Sequence, residues 1–167
     1  MDQPKEPLDV VFTCSGRATG KMRNDLDVKM TKPMLEEFTL ATDEGPFHGG
    51  DASAPPPLAL FIGGLTGCIM TQLRAFAKRM NVQIDDLKVD CKIEWQWTPM
   101  GRIYETAPKA FDIDILLESP NPVEEQLALI NAAKKGCFVE QTLGQINTIR
   151  HRLKTADGFV EVEGARA

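Results

Sequence analysis

The chain has 167 residues, 43% of them hydrophobic and 26% charged, with a net charge of −5. That length suits one domain with a sizeable core, and the acidic balance argues against a broad nucleic-acid or anionic-membrane surface, which needs a basic face. No uninterrupted apolar run reaches the ~18 residues of a membrane span, and the start, MDQPKEPLDV, carries no signal-peptide core, so a cytoplasmic protein is expected. The cysteines stand at 14, 68, 91 and 137 with no CxxC spacing, and the histidines are His48 and His151. A zinc site is not expected from this set. In a reducing compartment a structural disulfide is not expected either, whereas a transient catalytic pair is compatible with it.

Taken in order, residues 1–7 read as a loose terminus, and residues 163–167 as another. Leu8 to Thr13 has strand propensity through Val10, Val11 and Phe12. SGRATGKMRND reads as a turn, punctuated by Gly16, Gly20, Asn24 and Asp25. Leu26, Val28 and Met30 alternate with charged residues and predict a second strand; Phe38 and Leu40 predict a third. Residues 43–57, DEGPFHGGDASAPPP, form a loop that leads into a helix opened by proline.

That helix is the central feature, within PPPLALFIGGLTGCIMTQLRAFAKRM (Pro55 to Met80). Leu58, Ile62, Leu65, Ile69, Leu73, Phe76 and Met80 recur at helical spacing. Gly63, Gly64 and Gly67 each cost ~1 kcal/mol relative to alanine inside a helix, which predicts close approach by another element. Because its first half is apolar nearly all round, the helix is expected to be enclosed on several sides, with a second subunit helping. Leu87 to Trp97 then alternate apolar and polar residues, and Phe111 to Leu117 supply a pairing strand across a turn at Pro99-Met100-Gly101. Trp95 and Trp97 are expected in the core or a pocket wall. Asn121 is a candidate N-cap, with Pro122 in the first helical position and Glu124 placed for a capping box. Lys134-Lys135-Gly136 closes that helix. A short helix from Cys137 to about Leu143 follows, then a strand from Ile146 to Ile149 and a further piece at Phe159 to Val162. The order of elements is α+β, and it lacks the βαβ alternation and phosphate loop of a nucleotide-binding fold.

Two cysteines stand out. Cys137 follows Lys134, Lys135 and Gly136 at the expected positive end of a short helix, a setting that lowers a thiol pKa. Cys68 lies mid-helix and needs a cation from elsewhere; a cysteine in an apolar helix also serves simply as a small buried hydrophobe.

The span GGDASAPPPLALFIGGLTGCIMTQLRAFAKRMNVQIDDLKVD, together with AAKKGCFVEQTL, resembles the OsmC/Ohr family of osmotically induced and organic hydroperoxide resistance proteins, in its OsmC-like branch. The likeness extends over roughly residues 10 to 153. It implies an OsmC-like fold over residues 1–167 as a single domain, with antiparallel sheets around a buried central helix, in an intertwined homodimer. It implies reduction of organic hydroperoxides without bound cofactor or metal. In that reading Cys68 is the peroxidatic thiolate, Cys137 resolves its sulfenic acid as a disulfide, and an external dithiol reduces the disulfide. SGRATG resembles the family's N-terminal turn, which assigns Arg17 to hold Cys68 as thiolate. The chain departs from the peroxidase pattern in two places. Leu58 stands where a glutamate usually orients that arginine, with Glu140 and Asp51 as candidate substitutes, and Phe138 stands where many members have proline. An alternative is a member without efficient peroxidase chemistry that binds a small apolar ligand, or has a structural role, at the interfacial pocket.

Overall fold

A computed structural model describes residues 6–162. The chain is mixed α+β, its strands paired antiparallel, and it divides into two compact units, one ending at Gly64 and the other starting at Leu65. Glu6 and Pro7 are exposed and belong to no helix or strand. The remaining residues of the two expected loose termini, 1–5 and 163–167, lie outside the described residues.

The first unit holds a meander of β1 (Val11–Ala18), β2 (Asn24–Lys32) and β3 (Glu36–Thr42), in that spatial order. Strand β1 starts later than Leu8 and continues through SGRA, which reads as turn by composition. Pairing overrides that local preference. Gly16 faces Leu26, Arg17 faces Asp25 and Ala18 faces Asn24, and the turn is confined to the next residues, closed by the Thr19 N–H to the Arg23 carbonyl at 3.0 Å.

The loop after β3 is organised by Asp43, which is 2% exposed. Its Oδ1 accepts from the Glu44 N–H at 2.9 Å. Its Oδ2 accepts from the Ser53 N–H at 2.9 Å and the Ser53 hydroxyl at 2.8 Å. Arg23 ties the same serine to the sheet, donating to its Oγ at 3.0 Å and its carbonyl at 3.2 Å. A side chain at Gly50 would meet the Glu44 carbonyl oxygen at 1.9 Å, so the loop folds back too closely there for any Cβ.

Helix α1 (Pro57–Met80) begins in this unit and runs into the second. Pro57 occupies its first position, where a missing N–H costs nothing. By length and composition alone it is apolar enough to cross a membrane, although Gln72, Arg74, Lys78 and Arg79 interrupt its second half. Its buried residues are Leu65, Ile69, Leu73 and Ala77, one stripe at helical spacing. Among the described residues the first half is not enclosed on all sides: Leu65 is buried, but Leu58 is 54% exposed, and no atom beyond the helix's own nearby backbone stands within 4 Å of a Cβ placed at Gly63, Gly64 or Gly67.

The second unit continues with a long hairpin of β4 (Asp86–Met100) and β5 (Ile103–Glu118). Its turn is shorter than expected, since Pro99 and Met100 stay in the strand and pair with Tyr104 and Ile103. Alternating burial holds over Leu87, Val89, Cys91 and Ile93 and stops at a bulge between Glu94 and Trp95. Beyond the bulge both faces of β4 are exposed. Trp97 is therefore a surface residue, its ring 5.1 Å from that of Tyr104, and Trp95 is not in the core.

The N-cap position of helix α2 (Val123–Gly136) is Pro122 rather than Asn121, and its side chain makes no capping bond. Asn121 has another task, accepting the Gln83 N–H at 2.8 Å and donating to Glu125 at 2.7 Å. After α3 (Phe138–Leu143), residues 146–149 form no strand, and Ile146 and Ile149 are exposed. The last pair is β6 (Arg152–Thr155) with β7 (Gly158–Glu161). The core joins Ile69, Leu73 and Ala77 of α1 to Leu129 and Ala133 of α2, Val82, Val89 and Cys137. Burying each such leucine or isoleucine contributes about 1.5–3 kcal/mol.

Candidate functional site

The contact between α1 and the α2–α3 junction brings two cysteines together. Cys68 is half-buried and packs on the core cluster that contains Cys137. The two residues are neighbours, and Cys68 raises the pKa of the Cys137 thiol. Both are free, as are Cys14, exposed on β1, and Cys91, half-buried on β4.

Cys137 is 0% exposed. It caps α3, its Sγ accepting the Glu140 N–H at 3.5 Å. Burial pushes its thiol from an ordinary 9.0 up to about 11; the Glu140 and Val139 N–H groups pull the other way, and the neighbouring Cys68 adds to the rise. The expectation of a lowered Cys137 pKa is thus corrected. Lys134 and Lys135 are exposed and point their charge into water, while desolvation acts on the sulfur directly. The pair is asymmetric: a half-buried cysteine on α1 beside a fully buried one whose thiol is held protonated.

Arg17 lies on β1 in the first unit, exposed, so it is a strand residue rather than a turn residue. Asp51 is engaged with Lys21, whose ammonium donates to it at 2.6 Å. Glu140 presents a different picture: its Oε2 is buried and has no hydrogen-bond partner among the described residues. Leu58 is exposed at the start of α1 and brings no carboxylate there. His48 stands edge-on to Phe47, ring centroids 4.8 Å apart. Among the described residues, no three His, Cys, Asp or Glu side chains cluster as metal ligands.

Two structurally constrained residues, one in each unit, escape sequence reading. Asp43 has a faint signal, an acid with a serine in the following loop, but its burial is tertiary. Gly136 reads only as a helix terminator, yet a side chain there would collide with Phe76.

The chain matches the family model for OsmC-like proteins over residues 49–152, a stretch that contains both members of the thiol pair. Among solved structures it is similar to an OsmC-like hydroperoxide resistance protein from Jannaschia sp. CCS1, with 65% sequence identity over 92% of this chain and 98% of that one, at a TM-score of 0.65. It is also similar to an OsmC-like protein from Mycoplasma pneumoniae, with 18% identity over 86% of this chain and 91% of that one, at a TM-score of 0.58; this second likeness is one of fold. No curated protein matches the chain. With the family match running from the loop before α1, through Cys68 and Cys137, to the start of β6, this chain belongs to the OsmC-like protein family.

Proposed function

We propose that this protein is a cysteine-dependent peroxidase that reduces organic hydroperoxides, with Cys68 as the attacking thiolate and Cys137 as the resolving thiol. The observation that carries this reading is the Cys68–Cys137 pair, with only its first member accessible. The 65% identity to an OsmC-like hydroperoxide resistance protein supports the substrate class.

In the first step the Cys68 thiolate attacks the terminal oxygen of the hydroperoxide. The O–O bond breaks, the alkoxide leaves and takes up a proton as alcohol, and Cys68 becomes a sulfenic acid. In the second, the Cys137 sulfur attacks the Cys68 sulfur. The S–O bond breaks, and hydroxide leaves with the Cys137 proton as water. An external dithiol then reduces the disulfide by two successive thiol–disulfide exchanges and is itself oxidised. Burial of Cys137 fits its resolving role, because a peroxide in solution meets Cys68 first. Arg17 is assigned to hold Cys68 as thiolate, its planar fork suiting both a sulfur anion and a peroxide oxygen.

In this reading residues 1–167 act as a single OsmC-like domain in a cytoplasmic homodimer. The family match crosses the boundary between the two compact units, which supports a single domain. The open glycine face of α1 and its exposed Leu58 and Leu60 support a second copy as their cover.

A second reading is a family member that binds a small apolar ligand, or has a structural role, without peroxidase turnover. Leu58 favours it, since no carboxylate stands at the start of α1. Turnover decides between the two: reduced protein supplied with a dithiol and cumene hydroperoxide is expected to consume the peroxide catalytically, and Cys68→Ser to abolish consumption. Unchanged consumption by Cys68→Ser defeats the peroxidase reading.

A further inference from the structure

Gly136, the residue before Cys137, has no room for a side chain. A Cβ there would sit 2.6 Å from Cζ and 2.7 Å from Cε2 of Phe76, and 3.4 Å from Oε1 of Gln72. Carbon atoms in favourable contact stay ~3.5–4.0 Å apart. The Gly136 backbone is not in the left-handed region, so the requirement for glycine is one of space. Gln72 and Phe76 follow Cys68 on α1 at one-turn intervals, so the three share a helix face. The end of α2 rests on that face, and the next residue is Cys137, in the core cluster on which Cys68 packs. The Arg79 guanidinium, three residues on in the same helix, lies 5.3 Å from the centroid of the Phe76 ring.

We propose that Gly136 and the Phe76 ring are positioning residues that set the approach of Cys137 to Cys68, and so decide whether an oxidised Cys68 closes into a disulfide or is oxidised further. The partition between those fates rests on the peroxidase reading; the approach itself does not. Closure exchanges the sulfenic S–O bond for an S–S bond and releases water. In the competing step a second hydroperoxide transfers oxygen to the sulfenate sulfur, leaving a sulfinate on Cys68 and an alcohol in solution. The two steps start from the same intermediate, so a displaced Cys137 favours the second.

Diamide tests the approach without peroxide, because it takes two electrons and two protons from adjacent thiols. Disulfide formation in reduced protein is followed for the parent, Gly136→Ala and Gly136→Ala/Phe76→Leu. Gly136→Ala is expected to close about tenfold or more slowly, since ~1 Å of misplacement can cost about 10²-fold at a reacting pair. Trimming the ring in the double variant is expected to restore most of the rate. Phe76→Trp, which keeps Gly136 and enlarges the ring, is expected to slow closure similarly and covers the case in which Gly136→Ala does not fold. With cumene hydroperoxide, the slow variants are expected to accumulate Cys68 sulfinate where the parent gives disulfide, a ratio that loss of stability alone does not shift. Closure at the parent rate in Gly136→Ala or Phe76→Trp overturns the proposal, as does a slow Gly136→Ala that Phe76→Leu fails to rescue. A parent that closes with diamide but not with peroxide refutes the peroxidase reading and leaves the positioning intact.

Discussion

Cys137 is wholly buried in the core cluster on which Cys68 packs, whereas Cys68 is only half-buried. Reaction order follows from that difference. Electrophiles in solution reach Cys68 first, while Cys137 reacts through Cys68 or after unfolding.

Alkylation reads this directly. With its pKa pushed up to about 11, Cys137 is about one part in a thousand thiolate at pH 8, and thiolate is the reactive form. Iodoacetamide added to native reduced protein at pH 8 is expected to label Cys68 at least about tenfold faster than Cys137, measured by peptide mapping. The Cys137 labelling is expected to rise as pH approaches 11. Equal labelling at pH 8 contradicts the burial of Cys137.

Removing the resolving thiol is expected to change the product. In Cys137→Ser the first turnover still oxidises Cys68, but no disulfide forms. Successive equivalents of cumene hydroperoxide are expected to drive Cys68 to sulfinic and sulfonic acid, and turnover with dithiol to fall as inactive protein accumulates. Mass spectrometry of the Cys68 peptide checks this; a Cys137→Ser protein that stays fully reducible by dithiol contradicts the assignment.

Asp43 is expected to confer acid sensitivity. The Ser53 N–H and hydroxyl hold its carboxyl below the ordinary 3.8, aided by the Glu44 N–H. A group with a depressed folded pKa contributes stability that is complete above its unfolded pKa and lost as pH falls through the folded value. Asp43→Asn is therefore expected to lower the urea midpoint at pH 7 and to narrow the gap to the parent below about pH 4. A constant gap from pH 7 to pH 3 argues against the ionised carboxylate as the source.

The open face of α1 gives a prediction about assembly. The native mass is expected at twice that of the 18.5 kDa chain. Gly64→Lys, which places a charge where nothing stands within 4 Å in the single chain, is expected to shift the protein to monomer in sedimentation. A monomeric parent removes the second copy from the account.

What could be read from the sequence was local. The apolar alternation of Leu87, Val89, Cys91 and Ile93 and the stripe Leu65, Ile69 and Leu73 carry their periods openly, and both lie where expected. The turn formers of SGRA place Arg17 in a turn, whereas strand pairing with β2 decides its conformation. The bulge at Glu94/Trp95 leaves no trace in the alternation, which by itself predicts the tryptophans in the core or a pocket wall. Lys134 and Lys135, adjacent in sequence, predict a lowered Cys137 pKa, while the burial that dominates comes largely from residues distant in sequence, among them Ile69, Leu73 and Val89. Gly136 looked like a helix stop, and its reason for being glycine is a ring sixty residues earlier.

The most direct test of the thiol-pair account is stoichiometric oxidation. Fully reduced protein treated with one equivalent of cumene hydroperoxide, quenched in acid and mapped by mass spectrometry, is expected to lose two thiols and yield a Cys68–Cys137 linked peptide, with Cys14 and Cys91 still reduced. Retention of a reduced Cys68 under excess hydroperoxide contradicts the account.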